Sequence, residues 1–252
     1  MMNSVSFKLE KNIRVFPNME VLVDELADNL CKTIINSLKN DKQFSLALSG
    51  GKTPKALYRK LSEPTFKNKI DWQSVIFLWG DERQVPPDSH ESNYRMANEE
   101  WLKNLNLKKD NILRIRGERN SIEEAIEYNK ILEKSLSINS LGIPQVDTIL
   151  LGIGEDGHTA SIFPGDEKLE SSPPWCRVSR HPKTNQERIT FTDSLINAAS
   201  QIIFLACGKE KASIISKIIK KHPEANSYPA SWIQPSNGNL IWYLDQEAAS
   251  SL

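Results

Sequence analysis

The fold is decided by DTILLGIGEDGHTASIFPG, residues 147–165. Asp147 to Leu151 reads as a short buried strand, and Gly152-Ile153-Gly154 ends it. Glycines at 152, 154 and 157 fit GxGxxG, a weak dinucleotide signal by itself. The helix such a site needs is missing, because Pro164-Gly165 breaks the chain within a turn or two. What remains is a carboxylate, Asp156, and an imidazole, His158, on either side of Gly157. They stand at the C-terminal end of a central strand, the edge at which open α/β sheets bind ligands. A lone histidine is most often satisfied by nearby backbone. In this glycine-rich turn a proton-transfer role is the better reading.

Upstream, Leu22, Leu26, Leu30, Ile34 and Leu38 recur every four residues, which predicts a helix over Asn18 to Leu38. Phe44 to Leu48 and Ser74 to Trp79 read as buried strands, and Asn93 to Leu105 and Ser121 to Leu136 as helices. Downstream, the Pro-rich passage from Phe163 to Pro182 reads mostly as loop. Strands are expected over Arg188 to Thr192, Gln201 to Ala206 and Leu240 to Leu244, with a helix over Gly208 to Lys221. Strands alternating with helices, and strands apolar on both faces, argue for an α/β domain. The expected architecture is a three-layer α/β/α sandwich around a mostly parallel, Rossmann-like sheet, with residues 1–252 as one domain.

Two other strand ends carry chemistry. Ser49-Gly50-Gly51 turns a strand into a helix, with Thr53-Pro54 as the expected N-cap and first helical residue. Glycines there admit backbone N–H groups to an anion, so a phosphate turn and a plain tight turn are the two readings. A Walker A loop is excluded, since Leu46 stands where its first glycine belongs. The segment is a near miss for a nucleophile elbow at Ser49, with Ala47 in place of its first glycine. That reading is disfavoured because it lies on the first convincing strand and Thr53-Pro54 already explains the helix start. Gly80-Asp81-Glu82-Arg83 ends the other strand, and three charges there must pair with each other or with a ligand. Asp88 and His90 follow without the spacing of a metal site, so no metal is expected. Lys183, Arg188 and Lys211, each taken singly, read as solvated cations.

The composition narrows the function. There are 32 basic and 32 acidic side chains, a net charge of zero, which removes the usual basis for nucleic-acid binding. No run approaches the ~18 apolar residues of a membrane span, and Met1 to Glu10 has no signal-peptide core. Cys31, Cys176 and Cys207 are far apart and form no CxxC pair, which fits reduced thiols and a cytoplasmic location.

Five stretches in order resemble the 6-phosphogluconolactonases, within the wider glucosamine-6-phosphate isomerase/deaminase superfamily. They are LSGGKTPKALYRKL (48–61), WGDERQVPPDSHESNYRMA (79–97), DTILLGIGEDGHTASIFPG, HPKTNQERITFT (181–192) with GKEKA (208–212), and YPASWIQPSNGNLIWYLD (228–245). The resemblance runs from about Leu46 to Leu244. It implies hydrolysis of 6-phospho-D-glucono-1,5-lactone without a cofactor. It makes His158 the general base, with Asp156 or Asp81 orienting it. Ser49, Gly50 and Gly51 become the phosphate turn, Gly157 and Arg83 line the substrate, and Lys183, Arg188 and Lys211 supply cations. Thr184-Asn185 and Cys207 depart from the family pattern. The related deaminases carry a catalytic Glu where this chain has Phe163. A non-catalytic sugar-phosphate sensor is the third reading, disfavoured by the intact His158. The expected partner is a small sugar-phosphate lactone, with no nucleic acid and no membrane, on a monomer or weak homo-oligomer.

Overall fold

The computed structural model describes residues 12–39, 43–168, 173–235 and 238–252. The reading of Met1 to Glu10 lies outside these residues. The strands are β1 (Ile13–Phe16), β2 (Phe44–Leu48), β3 (Val75–Trp79), β4 (Asp81–Arg83), β5 (Ser137–Ile138), β6 (Pro144–Gln145), β7 (Thr148–Leu151), β8 (Cys176–Arg180), β9 (Glu187–Phe191), β10 (Gln201–Ala206) and β11 (Asn239–Asp245). The helices are α1 (Met19–Leu38), α2 (Lys52–Ser62), α3 (Pro64–Lys67), α4 (Asn93–Glu100), α5 (Ser121–Ser135), α6 (Asp193–Asn197) and α7 (Ala212–Ile219).

Six strands form the central sheet in the order β1-β11-β10-β7-β2-β3, and every pairing in it is parallel. Every residue of β2, β3 and β7 is buried, which is why these runs lack the polar alternation of a one-sided sheet. The fold is thus α/β with a mostly parallel, Rossmann-like sheet. From β2 the chain moves outward to β3; from β7 it moves the opposite way to β10. Right-handed crossovers in opposite directions place their helices on opposite faces. α1 and α2 share one face, consistent with Leu22, Leu26, Leu30 and Ile34 being buried at 0–1% exposure. The loops leaving β2 and β7 diverge, and between them opens the crevice of a topological switch point.

A second, antiparallel sheet has the order β4-β9-β8. It was only half legible in the sequence. β4 leaves β3 after the single residue Gly80, and β8 lies inside the Pro-rich passage read as loop, of which residues 169–172 fall outside the described residues. β1 was also missed; it is a four-residue strand whose pattern becomes meaningful only beside β11. Two helix starts differ as well. Gly51, not Thr53, precedes α2, and residues 209–211 form a 3-10 turn before α7 begins. The predicted helix Asn93 to Leu105 ends at Glu100 and continues as a short 3-10 turn.

Candidate active site

Because the sheet is parallel, the C-terminal ends of β2, β3, β7 and β10 lie at one edge. A cleft of about 410 Å³ opens there. It is lined by Ser49, Gly50, Gly51, Asp81, Arg83, His158, Arg188 and Lys211 among others. Eight of the residues singled out in the sequence therefore meet, although they span positions 49 to 211.

The glycine turn is pinned from below. The Tyr58 hydroxyl of α2 accepts from the Ser49 N–H at 3.0 Å and donates to the Ser49 carbonyl at 2.8 Å. Tyr58 is fully buried, and burial pushes its hydroxyl far above the ordinary phenol value. Tyr58→Phe would orphan both backbone groups, so we expect a loss of about 1–3 kcal/mol, read as a lower urea midpoint at unchanged m-value. Gly51 has φ +111°, a conformation that needs glycine. No side chain caps α2, and Gly51, Lys52 and Thr53 at its start line the cleft, a setting that suits an anion.

The cationic wall comes from the second sheet. Arg83 on β4 and Arg188 on β9 stand opposite each other in register. Like charges so placed repel unless an anion lies between them. Arg83 donates to the Glu91 carbonyl at 2.6 Å, and Arg188 reaches Ser161 Oγ at 3.4 Å. Burial, and then the Arg83 charge, lower the Arg188 pKa from its ordinary value. Ser49 Oγ and the Nε atoms of Arg83 and Arg188 are buried without a hydrogen-bond partner in the protein. Three unsatisfied groups, all on residues lining one cleft, suit a ligand rich in oxygen. Lys211 adds a charge from the 3-10 turn after β10, its Nζ 4.0 Å from Glu155.

The turn after β7 holds the imidazole. The Gly154 N–H donates to the His158 carbonyl at 2.9 Å, and that of Gly157 to the Gly154 carbonyl at 3.0 Å. Gly157 has φ +83°, and it supports the turn without lining the cleft. His158 Nδ1 lies 2.6 Å from Asp156 Oδ1. Burial alone would raise the Asp156 carboxyl, but the His158 charge and N–H groups hold it below the ordinary carboxylate value. An ionised carboxylate only accepts, so Nδ1 carries the proton and Nε2 is the basic nitrogen. Asp81 does not orient the ring. Its carboxylate accepts from Ser161 Oγ at 2.7 Å and Asn93 Nδ2 at 3.2 Å, and stands 4.0 Å from Arg188.

Lys183 is not in the cleft. It is exposed on the turn joining β8 to β9, where its backbone N–H donates to His181 Nδ1 at 3.2 Å. Four further residues support the site: Glu82 and Phe163 stood out in the sequence without a place in it, while Ser161 and Asn93 had no local signal. Glu82 is buried, accepting from Ser92 Oγ and from the N–H groups of Arg83, Asn93 and Tyr94. Burial pushes its carboxyl up, and those donors offset only part of the shift. Ser161 and Asn93 hold Asp81, and Phe163 packs against His158 with ring centroids 5.0 Å apart. Cys207 also lines the cleft, but burial pushes its thiol up to about 12, which leaves it a poor nucleophile. Among the described residues no cluster of His, Cys, Asp and Glu is suited to a metal.

This architecture and cleft belong to a class of sugar-phosphate enzymes. A family model described as glucosamine-6-phosphate isomerases/6-phosphogluconolactonase matches residues 17–242, and the chain belongs to that family. It is 34% identical over 245 residues to a 6-phosphogluconolactonase of Nostoc sp., covering 97% of this chain and 99% of the relative. It is 35% identical over 237 residues to that of Haemophilus influenzae, covering 94% and 98%. The solved structure of 6-phosphogluconolactonase from Trypanosoma brucei superposes with TM-score 0.86 at 30% identity, covering 96% and 98%.

Proposed function

We propose that this chain hydrolyses 6-phospho-D-glucono-1,5-lactone to 6-phospho-D-gluconate, a step of the oxidative pentose phosphate pathway. The carrying observation is that one cleft holds both an anion-binding wall and a carboxylate-oriented imidazole. The C6 phosphate docks on the Ser49–Gly51 turn and the start of α2, neutralised by Arg188 and Lys211. This places C1 of the lactone toward His158. Nε2 removes a proton from water as its oxygen attacks the carbonyl. N–H groups of the glycine turns or the Arg83 guanidinium stabilise the oxyanion. The tetrahedral intermediate collapses, and the imidazolium returns the proton to the departing ring oxygen. Asp156 holds the ring in the required tautomer, as carboxylates do in catalytic triads. The residues that do this chemistry need no cofactor.

The deaminase alternative lacks its acid, since Phe163 is buried with its ring against His158. Among the described residues no helix is long and apolar enough to cross a membrane. The direct test is acid release from freshly made 6-phosphogluconolactone, corrected for spontaneous hydrolysis. A rate no higher than the spontaneous one would refute the proposal. Ser49 serves as a ligand in this scheme and not as a nucleophile. Ser49→Ala is therefore expected to raise KM by about tenfold, the worth of one charge-assisted hydrogen bond. Mass spectrometry of the wild type during turnover is expected to find no acyl adduct; an adduct on Ser49 would establish covalent catalysis instead.

A further inference from the structure

Asn93 is the first residue of α4 and is 3% exposed. It lines the cleft, and its side chain touches two of the site's parts. Nδ2 donates to the Asp81 carbonyl at 3.0 Å and to Asp81 Oδ1 at 3.2 Å. The amide also fills the space beside Gly50. A Cβ at position 50 would lie 2.1 Å from Asn93 Oδ1, 2.8 Å from Cγ and 3.2 Å from Nδ2, and these are its three nearest neighbours. Position 50 is thus glycine because of Asn93. Gly51, by contrast, is glycine because of its backbone, with φ +111°. Buried Glu82 fixes the backbone that carries this side chain, its carboxylate accepting from the Asn93 and Tyr94 backbone N–H groups, both at 2.8 Å.

We propose that Asn93 is a positioning residue for lactone hydrolysis, one that sets how closely the phosphate turn approaches the Asp81 strand. The proposal rests on the lactonase reading above. A packed amide has a fixed volume and fixed donor directions, so it acts as a spacer and a tie at once. The substrate spans from the turn to C1, so an error in this spacing displaces the reacting carbon from His158.

The test is a double-mutant cycle of Gly50→Ala, Asn93→Ala and the two combined, with Asn93→Ser in place of alanine should that variant unfold. Each single change is expected to raise KM for 6-phosphogluconolactone by about tenfold, within the range of coupled neighbours. In the double variant the added methyl occupies space vacated by the amide. Its KM is therefore expected to match Asn93→Ala alone, instead of the product of the two effects. Binding of inorganic phosphate, followed by calorimetry, is expected to repeat the pattern without turnover. Multiplicative effects, or wild-type KM and phosphate affinity in Asn93→Ala, would overturn the proposal. A wild type that fails to release acid, with the variants still showing the same coupling in phosphate binding, would refute the lactonase reading and leave Asn93 as the spacer of the anion turn.

Discussion

Replacing His158 with alanine is expected to lower kcat by about 10²–10⁴, the usual contribution of a positioned general base. KM should move much less, because the proposed phosphate anchor lies on other elements. The fold should survive, since the 152–158 turn is held by backbone bonds between Gly154, Gly157 and His158 and by Thr159 Oγ1 donating to the Gly152 carbonyl at 2.9 Å. The acid limb of the wild-type pH profile should vanish with the imidazole. Asp156 does not supply a limb in the imidazole range, because with His158 beside it its carboxyl is held below the ordinary carboxylate value. A limb near ~4, or one retained in His158→Ala, would move the base role to a carboxylate. Asp81 would then lead, as the buried carboxylate among those that line the cleft, where Glu155 and Glu210 are exposed.

Removing the phosphate from the substrate should have an effect of similar size. Charge-assisted hydrogen bonds contribute about 1.5–3 kcal/mol each. Losing two of them would lower kcat/KM for unphosphorylated glucono-1,5-lactone by about 10²–10⁴. The comparison is made by acid release with both lactones under the same conditions. Comparable efficiencies would show that the glycine turn, Arg188 and Lys211 do not recognise the phosphate, and would return Ser49–Gly51 to the role of a plain tight turn.

The central sheet was legible because its strands are short apolar runs bounded by glycine. β2 and β10 have the bounds expected from sequence, and β3 and β7 differ by one residue at their starts. The antiparallel sheet was not, because its strands are stabilised by each other and by neighbours distant in the chain. β8 owes its existence to five registered pairs with β9, and no local periodicity announces that. The site divides the same way. Residues on the strand-ending turns, such as His158, Gly51 and Asp81, could be chosen because glycine and charge are unusual there. Asn93 and Ser161 could not, since a helix's first residue and a buried serine look ordinary until Gly50 and Asp81 are placed beside them. Lys183 was chosen as one of three equivalent cations; only the hairpin geometry sends it into solvent while Arg188, five residues on, turns inward.

Arg83 and Arg188 face each other across two paired strands with no carboxylate in hydrogen-bond contact with either guanidinium among the described residues. Without ligand, the chain folds against that repulsion. Under the proposed function, an oxygen-rich substrate bound in the cleft would offset it, and sugar phosphate and folded protein would then be thermodynamically linked: each factor of ten in ligand above its Kd would add about 1.4 kcal/mol to the unfolding free energy. The metabolite pool that the enzyme draws on would then also bear on the fraction of molecules that stays folded and protected from proteolysis, and a cell short of substrate would keep less of the enzyme without changing its synthesis.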